Sequence, residues 1–580
     1  MHSKHLKQLC LITVLLLGST LLSVFLILLS LDRNELIAHI IRLTNKPYLL
    51  NLLSNKILTP QKFTILRYGL QVSIILDCIT IALLYRFRNG VLSLLNFIFS
   101  TIKNCFGAIS LAHNTRKENI LLLIILAIVF LKGLYYILSF DLQYDEMWSY
   151  NYFTSRPVYL IFFSYNNYPI YELSTHLFKW LPFSMKVNLR LPPFLMGIFC
   201  IFVLFGCTKK ITSHFLTALA SVVLFACMPV SVFYMLYARG VMFELFFAVT
   251  AFFSLVFLVK TQQKKKYLFL YVASNVLGAY SMPTHLYFWA VFSLVSFLYF
   301  ILYQKSVIKS ILLSNFLILA LIVLCYLPVF FGSGLSFVFG ALTDTSQSTN
   351  LFANTIAYTK GINNFFTGNV YGLVILSFMS FVFLFLYKTA DYKYLFTLLL
   401  VNLFIFLPSI IYLFQRVFIP ERALAFIGLV IPFLGCTLFY FTKNSLKQYQ
   451  QYCILAIVFI AGCAISHRHE YLNWSVQKDK DAIKLSTLFL KNKIETCYDN
   501  SPTSEFYYFY PALEYYFSQQ KKTINFNMAE PNSQRYKPLL STDNFDCIID
   551  SIYANEEPRR VKYKKIFTDN AYGFKVWRLK

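Results

Sequence analysis

"ENILLLIILAIVFLKGLYYILSFDLQYDEMWSY", residues 118–150, is the stretch on which the reading of this sequence turns. Its first part is an apolar run of the length that crosses a bilayer, since roughly 20 helical residues span the ~30 Å hydrocarbon core. A few residues beyond that run stand two adjacent carboxylates, Asp145 and Glu146, among Tyr144, Trp148 and Tyr150. A carboxylate beside lipid is costly unless it is solvated, paired or used. Taken alone, such a pair reads as a water-facing cap; its neighbours in the rest of the chain shift that reading.

The 580 residues are 58% apolar and 18% aromatic, and only 13% are charged. Many windows repeat the pattern of 118–140, so the chain reads as a polytopic α-helical membrane protein. Open sheets are excluded from the spanning part, because their edge amides would go unpaired in lipid. Spans are expected near 9–31, 67–86, 119–140, 193–208, 214–234, 240–259, 267–283, 286–303, 309–331, 371–387, 393–413, 423–441 and 451–467, about thirteen in all.

The net charge of +26 would suggest nucleic acid in a soluble protein. Here the lysines and arginines cluster in short loops between apolar runs, and no nucleic-acid partner is expected. Lys209 with Lys210, "KTQQKKK" at 260–266, Lys305 with Lys309, Lys388 with Lys393, and Lys443 with Lys447 fall at alternate connections. The positive-inside rule puts those connections in the cytoplasm. The segment 141–192, "YARG" at 237–240, the turn near His285, 332–370, 414–422 and the tail then lie outside. The first 118 residues fit less neatly: Arg33, Arg42, Lys46, Lys56 and Lys62 fall in a segment that thirteen spans place outside, while a further span at 91–107 would have to accept Lys103. Both arrangements stay open.

Three parts are expected: an N-terminal extension 1–118 with two transmembrane helices, a membrane domain 119–467, and a small extracytoplasmic α/β domain 468–580. In the last, "DKDAIKLSTLFLKNKI" has helical periodicity, and "TCYDN", "FDCIID" and "GFKVWRLK" read as strands. Cys497 and Cys547 would pair if their strands are neighbours in an oxidising compartment. The other cysteines lie in or beside apolar runs, where they pack as small hydrophobes, and no metal-ligand spacing occurs. Segment 141–192 is expected to form helices lying in the interface. Loop 332–370 is either a lid over a bound ligand or a linker.

Other polar groups recur at the level of Asp145 and Glu146. "MLYARGVMFE" puts Arg239 at the start of a span with Glu244 about a turn further in. "YSMPTHLYFW" puts His285 at a turn, and "FQRVFIPERALAF" brings Arg416, Glu421 and Arg422. The basic groups suit an anion and the acids suit a proton; plain Arg–Glu pairing between helices accounts for the same residues.

The order of these segments resembles a known family. "DE" after a span, then "YNNYPIYELSTHLF", "NLRLPPFLMGIFCIFVLFGCTKKIT", "MPVSVFYMLYARGVMFELFF", "YLFLYVASNVLGAYSMPTHLYFW" and "PERALAFIGLVIP" look like the membrane-embedded C-type glycosyltransferases, in the protein-mannosyltransferase and lipid A aminoarabinose-transferase-like group. The resemblance covers about 119–467. It implies transfer of a sugar from a polyprenyl-phosphate donor to an extracytoplasmic acceptor, with inversion, in a bacterial inner (cytoplasmic) membrane. It implies Asp145 as catalytic group with Glu146 as the second position, and Arg239, Arg416 and Arg422 with His285 as holders of the donor phosphate. Glu172 would be a second acid or an acceptor-binding group. No metal or cofactor is implied, and the partners are the donor, a glycolipid or protein acceptor, and membrane lipids. Two features depart from the family. Met147, Trp148 and Ser149 follow the acidic pair where the aminoarabinose branch tends to carry a basic residue, and the proline-rich motif is reduced to "NYPIYE". The alternative, a transporter or flippase of a lipid-linked substrate, predicts internal repeats and broken helices at mid-membrane.

Overall fold

In a computed structural model of the chain, the described residues are 29–44, 116–158, 160–163, 168–260, 264–333, 351–367, 371–378, 392–415, 421–442, 447–474, 477–499, 510–520, 525–528, 546–551, 563–569 and 574–579, with scattered positions between 26 and 78 and a few single residues elsewhere. The chain divides into two compact units. One is residues 108–484; the other joins 1–107 with 485–580. The second contains helix α1 (Arg33–Thr44).

The described residues of the larger unit form helices and their connections, with no strand among them. Helix α2 (Arg116–Ser139) is followed by α3 (Tyr144–Ser149), a π-helical turn (Tyr150–Thr154), α4 (Leu160–Phe163) and α5 (Pro169–Phe178). Then come α6 (Met185–Thr212), α7 (Phe215–Cys227), α8 (Pro229–Leu236), α9 (Val241–Lys260), α10 (Lys264–Ser281), α11 (His285–Tyr303) and α12 (Ile308–Ser333). The series continues with α13 (Leu351–Thr367), α14 (Tyr392–Gln415), a 3-10 helix (Glu421–Leu429), α15 (Val430–Thr442) and α16 (Gln448–Trp474).

Among the described residues five helices are long and apolar enough to cross a membrane: Glu118–Ser139, Met185–Thr212, Val241–Val259, His285–Tyr303 and Lys305–Phe330. The pair α7 and α8 makes a sixth if it is one broken span, and Leu399–Phe414, Ala423–Thr437 and Gln448–Ala464 are shorter apolar helices. The chain is a multi-pass helical membrane protein. The count differs from the expected thirteen for identifiable reasons. Spans 9–31 and 67–86 and the latter half of 371–387 fall largely outside the described residues. The expected span 423–441 divides into a 3-10 helix and α15. The expected continuous span 214–234 is bent by 65°, because Pro229 has no amide proton with which to continue α7 and starts a new helix at its own N1 position.

The lipid solvent is legible in what these helices expose. Ile120, Leu123, Ile124 and Leu131 on α2, and Leu312, Leu313, Phe316 and Leu324 on α12, are all exposed. Buried faces are closed by small residues and aromatic rings. A Cβ on Gly133 would meet the Phe194 ring at 2.3 Å, so α2 and α6 approach as only glycine allows. Phe252 and Phe433 stack at 4.3 Å between α9 and α15. The Asn315 Oδ1 accepts from Tyr271 OH (2.9 Å), Trp289 Nε1 (3.1 Å) and Ser293 Oγ (3.1 Å), tying α10, α11 and α12 together with a fully used carbonyl.

Segment 141–192 is helical, as expected, but its helices do more than lie on a surface: Ile161, Tyr171, Glu172 and Thr175 are buried. The segment 332–370 is not a plain loop, since α13 occupies its second half; residues 334–350 lie outside the described residues.

In the other unit, α17 (Gln477–Lys491, which begins in the larger unit), β1 (Thr496–Asp499), α18 (Tyr510–Gln519), β2 (Asn525–Met528), β3 (Cys547–Ser551), β4 (Tyr563–Asp569) and β5 (Phe574–Leu579) build an α/β fold. The sheet order is β2-β1-β3-β5-β4. β1 runs parallel to β2 and β3, while β5 runs antiparallel to β3 and β4. The three strands read from sequence are present; β2 and β4 were not anticipated. Cys497 and Cys547 stand opposite each other on β1 and β3, 4.8 Å apart at Cα, and form a disulfide.

Candidate active site

The site begins with α3. Glu146 Oε2 accepts the Gln143 amide (2.8 Å), so the helix is capped by its own acid. That same carboxylate takes a bidentate pair from Arg190 on α6, with Nε to Oε1 at 2.8 Å and Nη2 to Oε2 at 2.6 Å. Its Oε1 also accepts the Ala238 amide at 2.8 Å. Arg190 also donates from Nη1 to the Phe140 carbonyl (2.6 Å) and from Nη2 to the Asp141 carbonyl (2.7 Å), where α2 ends. Both side chains are fully buried. A buried pair of this kind is sustained only when its lone pairs and protons are all satisfied; here Glu146 accepts four hydrogen bonds, and the ends of α2, α6 and α8 are tied to α3.

Asp145 has a different setting. Its side chain retains 15% exposure, Oδ1 lies 3.1 Å from Arg239 Nη2, and Oδ2 accepts the Tyr237 hydroxyl at 3.0 Å. Arg239 is buried beneath the Tyr168 ring, 4.8 Å from its centroid, and Nη1 reaches Ser149 Oγ at 3.5 Å. Tyr168 is the N-cap residue of α5, whose N1 position is Pro169. Gly240 makes this junction close: a Cβ there would meet Tyr168 Cβ at 2.6 Å and the Ser281 carbonyl at 2.7 Å. The bend at Pro229 brings Tyr237, Ala238 and Arg239 to α3.

Glu172 lies one turn into α5 and is fully buried. Its Oε2 accepts the Thr154 hydroxyl (3.3 Å), Thr154 and Thr175 hydroxyls are 2.9 Å apart, and Oε1 has no hydrogen-bond partner among the described residues. Burial pushes its carboxyl up to about 8, against the charge of Arg239 and the hydroxyls of Ser149, Thr154 and Thr175, which favour the ionised form. Tyr171, on the same helix, is held well above its ordinary value by burial and by the nearby Glu172 and Glu146.

Of the sequence-predicted residues, Asp145, Glu146, Arg239 and Glu172 therefore meet in one polar layer. His285 does not join it through any hydrogen bond or ion pair among the described residues. It is buried with its ring over Gly278, 4.9 Å from Phe288, and neither ring nitrogen has a hydrogen-bond partner. Glu244 is likewise buried, with neither oxygen hydrogen-bonded among the described residues. Arg416 lies outside the described residues, as does the side chain of Arg422, whose backbone belongs to the 3-10 helix. Sequence reasoning missed Arg190, Tyr237, Tyr168 and Ser149. Arg190 carried a signal: a lone arginine at the start of an apolar helix, next to Pro192 and Pro193, demands a partner. Among the described residues no three His, Cys, Asp or Glu side chains come together as a metal set.

Within a bundle of apolar helices, a half-open carboxylate, Asp145, thus meets a buried guanidinium, Arg239. No protein family's sequence profile matches the chain, and no curated protein matches it. Solved structures do. Crystal structures of ArnT from Cupriavidus metallidurans, one in the apo state and one bound to undecaprenyl phosphate, each superpose with a TM-score of 0.55 at 11% identity, covering 79% of this chain and 97% of that one. The chain has the fold of that lipid A aminoarabinose transferase, a C-type membrane glycosyltransferase.

Proposed function

We propose that the protein is a membrane glycosyltransferase that moves a sugar from a polyprenyl-phosphate donor to an acceptor on the extracytoplasmic side. The observation that carries this is the Asp145–Arg239 pair, a carboxylate still open to solvent beside a guanidinium held between Tyr168 and Ser149. The ArnT-like fold and the undecaprenyl phosphate held by one of those crystal structures support a lipid-linked donor.

The chemistry follows from the residue types. The leaving polyprenyl phosphate is already an anion and needs cationic hydrogen-bond donors rather than an acid; the planar guanidinium of Arg239 suits it. When the phosphate draws on Arg239, Asp145 loses part of its counter-ion while Tyr237 still fixes Oδ2. The acceptor hydroxyl attacks the anomeric carbon from the face opposite the phosphate and gives its proton to Asp145. The bond from that carbon to the phosphate oxygen breaks, the electron pair leaves with the phosphate, and the configuration inverts. A positioned base of this kind contributes about 10²–10⁴-fold. Glu146 serves as the anchor of α3, its lone pairs being spent on Arg190 and two amides. Arg416, Arg422 and His285 are further candidates for the phosphate, and the acceptor is a glycolipid, a lipopolysaccharide sugar or a protein hydroxyl.

The test compares envelope glycolipids and glycoproteins by mass spectrometry between cells carrying the intact protein and cells carrying Asp145→Asn. One sugar unit is expected to disappear from one acceptor. An unchanged glycan profile with the variant fully expressed overturns the reading and returns the transporter alternative.

A further inference from the structure

Glu172 is the one acid of the polar layer that neither the anchor nor the Asp145–Arg239 pair uses. It belongs to the same helix, α5, whose N-cap Tyr168 covers the Arg239 guanidinium. The Ser149 hydroxyl stands between the two groups: it meets Arg239 at 3.5 Å and favours the ionised form of Glu172. Asp145 meets the other terminal nitrogen of Arg239, Nη2, at 3.1 Å. One guanidinium thus has a carboxylate in direct contact and a second carboxyl within electrostatic reach. The Arg239 charge that favours the ionised form of Glu172 is therefore shared with Asp145, and a buried cation neutralises one buried anion well and two poorly.

We propose that Glu172 is a positioning residue for Arg239: protonated, it leaves the guanidinium to Asp145 and to the donor phosphate, and ionised, it competes with Asp145 for the same charge. The effect on a donor phosphate rests on the glycosyl-transfer reading; the coupling of Glu172 to Asp145 through Arg239 stands without it. Among the described residues, the charged and titratable groups that face this corner are Asp145 and Glu146 on α3, Arg190 on α6, Tyr237 and Arg239 ahead of α9, and Tyr168 and Tyr171 at the start of α5 itself. Glu146 and Arg190 neutralise each other and are locked by backbone groups, so the adjustable charge is shared by Asp145, Arg239 and Glu172. Thr154 and Thr175 supply hydroxyls that can turn to either protonation state of Glu172 without moving the helix.

The experiment reads the proton on Glu172 directly, and so does not depend on any transfer assay. Infrared difference spectra of the full chain in lipid nanodiscs are recorded across pH for the intact protein, Glu172→Gln, Arg239→Gln and Asp145→Asn. The intact protein is expected to show a protonated-carboxyl band that is lost as pH rises through about 8 and is absent in Glu172→Gln. In Arg239→Gln its midpoint rises by about one unit or more, because the cation that favours the anion is gone. In Asp145→Asn the midpoint falls by about one unit, because Arg239 then has one carboxylate fewer to neutralise. Should Glu172→Gln fail to fold, isotopic labelling of glutamate carboxyl carbons assigns the band in the intact protein, and Asp145→Asn carries the comparison. A midpoint identical in Asp145→Asn and the intact protein overturns the proposal, as does a band that survives in Glu172→Gln. The glycan profile of Asp145→Asn reports on transfer and the infrared midpoint on the coupling, so each can fail while the other stands.

Discussion

At the scale of single residues, two neighbouring carboxylates with the same chemistry have been given opposite settings. Glu146 accepts four hydrogen bonds and is sealed; Asp145 accepts from Tyr237 and Arg239 and stays partly open. Arg190→Ala leaves the Glu146 carboxylate buried without its counter-charge. A loss of about 3–5 kcal/mol is expected, read as a lower unfolding midpoint in detergent. Arg239→Gln keeps a polar hydrogen-bonding side chain but not the charge beside Asp145, and the proposed transfer is expected to fall by about 10²-fold or more, measured as turnover on purified protein. Burial pushes the Glu172 carboxyl from its ordinary 4.5 up to about 8, so the fold binds this proton more tightly than the unfolded chain. The stabilisation is complete below about 4.5 and is lost as pH rises through about 8. Thermal midpoints are expected to decline across that window, and less steeply in Glu172→Gln. Asp145 and Glu146 stand out in the sequence because acids are rare here, but their division of labour does not, since it depends on Arg190 and on the Ala238 amide, 44 and 92 residues away in the chain.

At the scale of elements, the site is assembled by a break and a close approach. Pro229 ends α7 and turns α8 by 65°, which carries Tyr237, Ala238 and Arg239 onto α3. Gly240 then lets α5 and the end of α10 close over that junction. In Gly240→Ala the new methyl would fall 2.7 Å from the Ser281 carbonyl and 2.6 Å from Tyr168 Cβ. Tyr168 must then leave Arg239, and a destabilisation of about 1–3 kcal/mol is expected together with reduced turnover. A Gly240→Ala protein with unchanged midpoint and turnover would contradict the packing described. Helices α2, α6, α9, α11 and α12 were legible from their apolar length alone. The broken pair α7–α8 was not, because hydropathy sums residues without regard to direction and runs through a proline. Strands β2 and β4 escaped for a related reason: four to seven residues with mixed polarity carry little periodic signal.

At the scale of the whole molecule, the chain joins a lipid-facing helical unit to a unit containing a small five-stranded sheet. The disulfide Cys497–Cys547 closes a sequence separation of 50 residues. The loop-entropy relation gives such a cross-link about 4 kcal/mol of stabilisation. Reduction is expected to add two thiols to a maleimide gel-shift count and to lower the unfolding midpoint. The same cross-link motivates the proposed sidedness, in which the sheet faces an oxidising compartment. Impermeant thiol labelling of intact cells is expected to reach a cysteine placed at Lys179 and not one placed at Lys265; the reverse pattern would invert the topology.

The sequence by itself determined that this is a helical membrane protein with a polar C-terminal α/β part, because the hydrocarbon core imposes a length and a polarity on every span that crosses it. It also determined that acids and arginines are few and gather near helix ends. Only the tertiary structure decided which of them meet: Arg190 with Glu146, Arg239 with Asp145, and Glu172 behind both. The physical reason is that in a low-dielectric interior a charge must find its partner through space, across a bent helix and a glycine contact, whereas the solvent selects helices by local composition alone.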